Sequence, residues 1–401
     1  MKIILNDDNL EVNSEVEVCE MLMKWLQVQT EGGHEVHPEE LLPLIRWSGI
    51  SVDYVKSKLL RNTTLTSDPA SVSFLSKVIS YLVSGVQFED LRTFHRPSTG
   101  LSNNLILIGL CDVQQMSTKM FHISLQQRSR ARKDHSLPFK VPLGSAAHAL
   151  SDVIYSIGIG PPLHKEIWKW DVVRGWFRCA DMITGRRSHC ALAVDATLYV
   201  FGGIVGVVET VLSSVESYNT RTNKWFSAGQ LIHAVYGAAC ATYNNCIYVF
   251  GGRDKDDHFV DHVQVYKPGQ ETCTLMGTSM PRAYNAMRAM LWETSVILLN
   301  RYTCFIYNFE TQTWQEKEQF KTGVAWFAST LDSSTVYIAG GGTAVIDKDN
   351  KVIWTYTDEI KSVSVLDIIA NKPAVWTHHA KLPRAAMIDS FVNIFLPALD
   401  F

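Results

Sequence analysis

No run in this 401-residue sequence is apolar for long enough to cross a membrane as a helix. The opening Met1-Lys2-Ile3-Ile4-Leu5 meets Asn6-Asp7-Asp8 too soon to act as a secretory leader. Positive charge is not in surplus: 37 Lys and Arg face 40 Asp and Glu, a formal net charge of -3. No excess of cations is left to neutralise phosphates, which argues against nucleic acid as a partner. The 8 cysteines form no C-x-x-C pair and no cluster with histidine, so they are expected to be reduced, buried thiols of a cytoplasmic protein. Gly-rich phosphate loops, nucleophile elbows and metal signatures are missing too. The nearest approach to a metal pair is His378-His379, yet adjacent residues of a strand point to opposite faces. The expectation is no cofactor, no metal site and no catalysis.

What is present falls into two textures. Residues 1–95 carry helical spacing. Val18, Leu22, Trp25 and Leu26 recur within Glu15 to Gln29, and Pro38 with Glu39 and Glu40 opens a second helix. Ser51 reads as the N-cap of Val52 to Leu60, and a last helix runs from Pro69 past Leu82 to a stop at Gly85. The segment 96–103, with Pro97 and Gly100, reads as a linker. From 104 to 401 the chain is a series of short β-branched and aromatic runs between polar turns. Leu105 to Leu110, Val153 to Ile159, Thr197 to Phe201, Cys246 to Phe250 and Thr335 to Ala339 predict strands. The basic tract Gln126 to His135 and the segment Asp347 to Lys351 read as a loop and a turn.

The strands recur on a beat. Leu198-Tyr199-Val200-Phe201-Gly202-Gly203 is echoed by Ile247-Tyr248-Val249-Phe250-Gly251-Gly252 and by Val336-Tyr337-Ile338-Ala339-Gly340-Gly341. Weaker copies end at Gly109 and Gly158, and in one degenerate copy Asn300 replaces the first glycine. After each copy an aromatic leads to a tryptophan, as Tyr218 to Trp225, Tyr307 to Trp314 and Trp170 to Trp176, while Tyr266 leads to Cys273. Such a unit is four strands, with glycines where blades crowd and aromatics between neighbouring sheets.

This repeat resembles the kelch motif. It implies a mainly β protein: a six-bladed kelch β-propeller, preceded by a small all-α domain. The last piece, Pro383 to Phe395, would pair into the first blade and close the ring. The helical part, through Leu10-Glu11-Val12-Asn13-Ser14-Glu15 and Leu41-Leu42-Pro43-Leu44-Ile45-Arg46-Trp47, is similar to the BACK domain of the Kelch-like family. That family joins BTB, BACK and kelch segments in substrate adaptors of cullin-RING ubiquitin ligases. No BTB segment and no opening BACK helices occur in these residues, which implies a natural short form or a fragment. The resemblance implies a protein or a short degron-like peptide bound on one face of the propeller, with an indirect link to a cullin-RING ligase. The alternative is a cytoskeletal, actin-associated or scaffolding kelch protein without a ligase link. Aligned on the glycine strands, the rim loops present Arg186, Arg187, Tyr236, Arg253, Tyr284, Arg301 and Trp326, residue types that dominate binding hot spots.

Overall fold

The structure is a computed structural model, and it describes residues 1–7, 10, 12, 14–47, 50–84, 88, 90–92, 101–112, 117–124, 132–141, 144–150, 153–160, 163–171, 175–194, 197–332, 334–346, 352–373, 375–382 and 387–397. The chain divides into two compact units, one centred on Met1–Asn104 and the other on Leu105–Leu331 with Thr335–Ile394. Most of the expected linker, 96–100, lies outside the described residues, and a strand already begins at Leu101.

In the helical unit the apolar stripes dictate the packing. Glu15–Glu31 is a helix capped by Ser14, whose hydroxyl accepts from Glu17 N, and it buries Val18, Leu22 and Leu26. Ser51 caps Val52–Ser57 by accepting from Tyr54 N at 3.1 Å. This helix stops at Ser57, and a separate tight turn, Leu59–Arg61, finishes the stretch expected to be one helix. Pro69–Ser84 sends Phe74, Leu75 and Val78 into the same core. Trp47 is fully buried there, its Nε1 donating to Leu42 O at 3.1 Å and its ring 5.9 Å from that of Phe74. Arg46 is buried beside it and donates to the carbonyls of Leu5 and Leu44 at 3.2 and 2.8 Å.

The second unit is a β-propeller. Five four-stranded sheets are each drawn from one continuous stretch of the chain and are numbered here blades 1 to 5. Blade 1 is Ala146–Leu150, Val153–Ile159, Glu166–Asp171 and Gly175–Arg178. Blade 2 is Cys190–Val194, Thr197–Phe201, Ser214–Asn219 and Lys224–Gln230. Blade 3 is Ala239–Tyr243, Cys246–Phe250, Val263–Tyr266 and Thr274–Leu275. Blade 4 is Arg288–Trp292, Ser295–Leu299, Cys304–Asn308 and Thr313–Glu316. Blade 5 is Ala328–Asp332, Thr335–Ala339, Glu359–Ser364 and Thr377–Lys381. The count of six therefore needs correction: among the described residues, self-contained blades number five. What the repeat spacing made into a first blade supplies only Leu101–Asp112, Ser117–Ser124 and Arg132–Ser136, and these share a sheet with the distant strand Met387–Pro397. Arg132–Ser136 was expected within a loop. Its charged side chains hid a strand that a hairpin partner, not an apolar pattern, specifies.

Two burial patterns explain why the apolar runs are continuous. In blade 4, Val296 and Leu298 pack toward blade 3 with Phe250 and Val263, whereas Ile297 and Leu299 pack toward blade 5 with Val336 and Ile338. Alternate side chains of one strand thus enter two different inter-blade cores, and every position of Ser295–Leu299 is buried. The aromatic spacing is a cross-strand register. Tyr218 lies opposite Trp225, Tyr307 opposite Trp314, and Trp170 opposite Trp176. The first two pairs hold their rings 5.2 and 4.7 Å apart.

Candidate protein-docking rim

At one end of blades 1 to 4 the backbone itself builds a run of linked loops. The residue just before the first strand of blades 2, 3 and 4 is reached through Ser188, Gly237 and Ala286, all with left-handed φ of 53°, 63° and 51°. Ser188 N donates to Gly144 O, Gly237 N to Ser188 O and Ala286 N to Gly237 O, at 2.7, 2.8 and 2.8 Å. Blades 1 to 4 are so linked, each to the next, by a main-chain hydrogen bond. The glycine doublet fits beneath these bonds. A Cβ on Gly202 would lie 2.3 Å from Val235 O of the next blade, and one on Gly203 would lie 2.8 Å from Arg187 O of its own.

On this scaffold the loops before the first strand pair with the loops after the glycine strand: Arg187 with Ile204, Tyr236 with Arg253, and Ala325 with Gly342. Rim side chains expected from the sequence are carried on these loops, with two corrections. Arg186 does not line a rim. It is 0% exposed, and its Nη2 reaches Glu216 Oε1 at 2.6 Å while Nη1 donates to Gly202 O and Ser214 O at 3.0 and 2.9 Å. The Glu216 carboxylate also accepts from Thr184 N and Ile183 N, so this pair is a buried brace for the blade 2 loop. Arg186 occupies the inward position that blade 3 fills with buried Val235. An alternation one residue out of step hides the difference from sequence alignment.

The second correction concerns register. Ala325, not Trp326, is the counterpart of Tyr236 and Arg187, since it makes the equivalent backbone pair. Trp326 falls on the left-handed position itself, with φ of 55°, where the other blades place Ser188, Gly237 and Ala286. It is 40% exposed, and its ring lies 4.1 Å from that of Trp354.

The remaining expected residues form two unlike groups. In blades 2 and 3, Arg187 is ion-paired with Glu209. Arg253 Nη1 lies 2.6 Å from Asp257 Oδ2, its guanidinium is 4.2 Å from the centre of the Phe259 ring, and the Tyr236 hydroxyl donates to the same Asp257. The Tyr236 hydrogen bond, then the Arg253 cation, hold the Asp257 carboxyl below its usual range. In blades 4 and 5, Tyr284 stacks with Tyr302 at 6.3 Å, and Arg301 lies 5.6 Å from the centre of the Tyr302 ring and 5.8 Å from that of Trp354. Sequence reasoning missed Tyr302 and Trp354. The available signal was length: the connection after the glycine strand is 300–303 in blade 4 but 340–358 in blade 5, enough for the extra hairpin Gly342–Ile346 and Val352–Tyr356.

Among the described residues the one group able to offer three metal ligands is Asp254, Asp256 and His258, on an exposed loop. Asp254 Oδ1 accepts from Asp256 N and His258 N, both at 2.9 Å, so this carboxylate shapes the turn. His378 and His379 occupy neighbouring positions of one strand, and the His379 ring packs edge-on against Tyr337 at 5.0 Å. No helix among the described residues is long and apolar enough to cross a membrane.

Sheets, glycine doublets and Tyr–Trp register together define a kelch-repeat propeller preceded by a helical segment. Comparison with known families agrees: the kelch motif matches residues 185–231 and 234–280, and the family described as "BTB And C-terminal Kelch" (BACK) matches residues 1–60. Kelch-like protein 35 of Mus musculus is 25% identical over 342 residues, covering 84% of this chain and 59% of the relative. Kelch-like protein 38 of Rattus norvegicus is 23% identical over 392 residues, covering 95% of this chain and 65% of the relative. The chain carries kelch repeats and a BACK segment and is similar to Kelch-like proteins, and it spans about three-fifths of the length of these curated relatives. A solved structure titled "Structure of YjhT" shares the propeller fold, with a TM-score of 0.52 at 17% identity over 63% of this chain and 86% of the other.

Proposed function

We propose that the rim is a docking surface for another protein, engaged through a short degron-like segment, and that the chain is a substrate-recognition module of the kind that serves cullin-RING ubiquitin ligases. The observation that carries this reading is convergence. Arg187, Tyr236, Arg253, Tyr284, Arg301 and Trp326 project from loops held together at one end by main-chain hydrogen bonds, on a scaffold whose side chains are otherwise spent on inter-blade cores. Arg, Tyr and Trp presented on rigid supports lose little conformational freedom on binding. The link to a ligase follows from the relatives' family and is indirect. In this reading residues 1–95 act as the BACK-like part and 104–401 as the propeller.

The test is to capture a partner with the full chain, purify it, and map the complex by hydrogen exchange. Protection is expected in the loops at 187–188, 236–237, 253–258, 300–303 and 325–326. A footprint confined to the outer strands or to residues 1–84 would place the interaction elsewhere and remove the proposal.

A further inference from the structure

Three arginines stand on this rim, and two are already neutralised. Arg187 has Glu209, and Arg253 has Asp257. Among the described residues no carboxylate lies within ion-pair distance of Arg301, which is half-buried between the rings of Tyr302 and Trp354. Its position is itself unusual. The other glycine strands end in Gly203, Gly252 and Gly341, where a Cβ would meet a backbone carbonyl at 2.7 to 2.8 Å. Blade 4 escapes that clash because Asn300 replaces the first glycine. Its Oδ1 accepts from Tyr302 N and Thr303 N at 2.6 and 2.8 Å, closing a short turn that lets residue 301 carry a long side chain. Ring faces remove water from one side of the guanidinium without supplying the charge that water had screened, so an arriving anion is favoured.

Beside this cation lies an apolar strip. Trp326 is held at φ 55°, where a bulky residue is disfavoured, and the other blades use Ser, Gly or Ala. The residue is 40% exposed, so burial offsets the backbone cost only in part. It abuts Trp354, which pairs across the blade 5 hairpin with Ala344. Two residues along, on the same face, Ile346 pairs with Val352, 66% and 64% exposed. One cation and one apolar strip specify their complement.

We propose that Arg301 is the anchor of the rim, that it takes the carboxylate of an Asp or Glu in a linear peptide segment, and that apolar residues next to that acid lie along Trp326, Trp354, Ile346 and Val352. This rests on the reading of the rim as a docking surface and names the chemistry of what docks. A planar guanidinium held between rings offers its remaining edge for paired hydrogen bonds to a carboxylate, and its single charge matches a single acid.

The probe is a set of synthetic dodecapeptides carrying one Glu or Asp flanked by Leu, Ile, Phe or Trp, each with a matched Gln or Asn version. Binding to the full chain is read by fluorescence anisotropy. Acid peptides should bind at least about tenfold more tightly than their amide partners. Arg301→Ala should erase that difference, whereas Arg178→Ala, on the outer strand of blade 1 and away from the rim, leaves affinities within about twofold. Trp326→Gly should weaken every peptide without lowering Tm, which separates contact with the ligand from support of the fold. Equal binding of acid and amide peptides, or an acid preference that survives Arg301→Ala, overturns the proposal. So does concentration-dependent self-association that Trp326→Gly abolishes, because a second copy would then be the occupant. Should no peptide bind while a captured partner still protects the rim, this inference falls and the rim reading stands. A footprint elsewhere removes both.

Discussion

The blade 2–3 side and the blade 4–5 side of the rim are built from the same repeat, yet they treat charge in opposite ways. On the first side every arginine has an acid: Arg186 with Glu216, Arg187 with Glu209, and Arg253 with Asp257. On the second, aromatic rings take the place of acids around Arg301. The difference starts from loop length. Connections 202–213 and 251–262 are long enough to bring an acid back over their own arginine, but 300–303 is too short to do so. The neighbouring blade 5 hairpin then leans Trp354 toward the gap. A repeat can thus keep its core and convert a self-satisfied surface into a receptive one by shortening one loop and lengthening the next.

The comparison is sharpest at Arg186. Its charge is buried on the satisfied side, so Arg186→Ala leaves Glu216 with no cation in the core of the loop, and a loss of about 3–5 kcal/mol is expected in urea unfolding. A loss below about 1 kcal/mol would mean the brace is not what holds blade 2. His189 gives the next effect. It is buried beside Arg186 and His164, against Gly158 and Gly203, and burial first, then the Arg186 charge, pushes its imidazole down to about 3. The unfolded chain takes up that proton near pH 6.5. The contribution of a neutral His189 is therefore complete above about pH 6.5 and is lost as pH falls from there toward 3, at up to about 1.4 kcal/mol per pH unit. In unfolding series from pH 7.5 to 4.5, His189→Gln should show a shallower decline than the parent chain; parallel slopes would show that His189 titrates normally. The smallest effect belongs to Arg187→Ala. Its exposed pair with Glu209 is screened by solvent, and a change under about 1 kcal/mol is expected in the same assay.

Much of the scaffold was legible because it obeys periodicities. The strands Val153–Ile159, Thr197–Phe201, Cys246–Phe250 and Thr335–Ala339 have the ends that their apolar runs and glycines indicated. Ser51 capped its helix as its spacing required. The rim was less legible, for reasons that lie in register. Arg186 and Arg187 are neighbours in sequence, and only the backbone pair of Arg187 with Ile204 decides which one faces inward. Trp326 looked like a counterpart of Tyr236 because both are aromatic, but Ala325 makes the pair. Trp354 carries no motif at all, since its place is set by a hairpin that interrupts the repeat. In the composite sheet the pairing of the C-terminal strand into the first blade was legible, but the blade count was not. Its strands are separated by most of the chain, so no local count can say how many blades are self-contained.

The series of main-chain bonds through Gly144, Ser188, Gly237 and Ala286 has an evolutionary consequence. Peptide groups make it, and peptide groups are the same whatever side chain they carry. Mutation can therefore exchange one rim residue for another, or swap whole loops, without loosening the joint between blades. Specificity and architecture are inherited separately here, which lets copies of one gene drift toward different targets while each still folds.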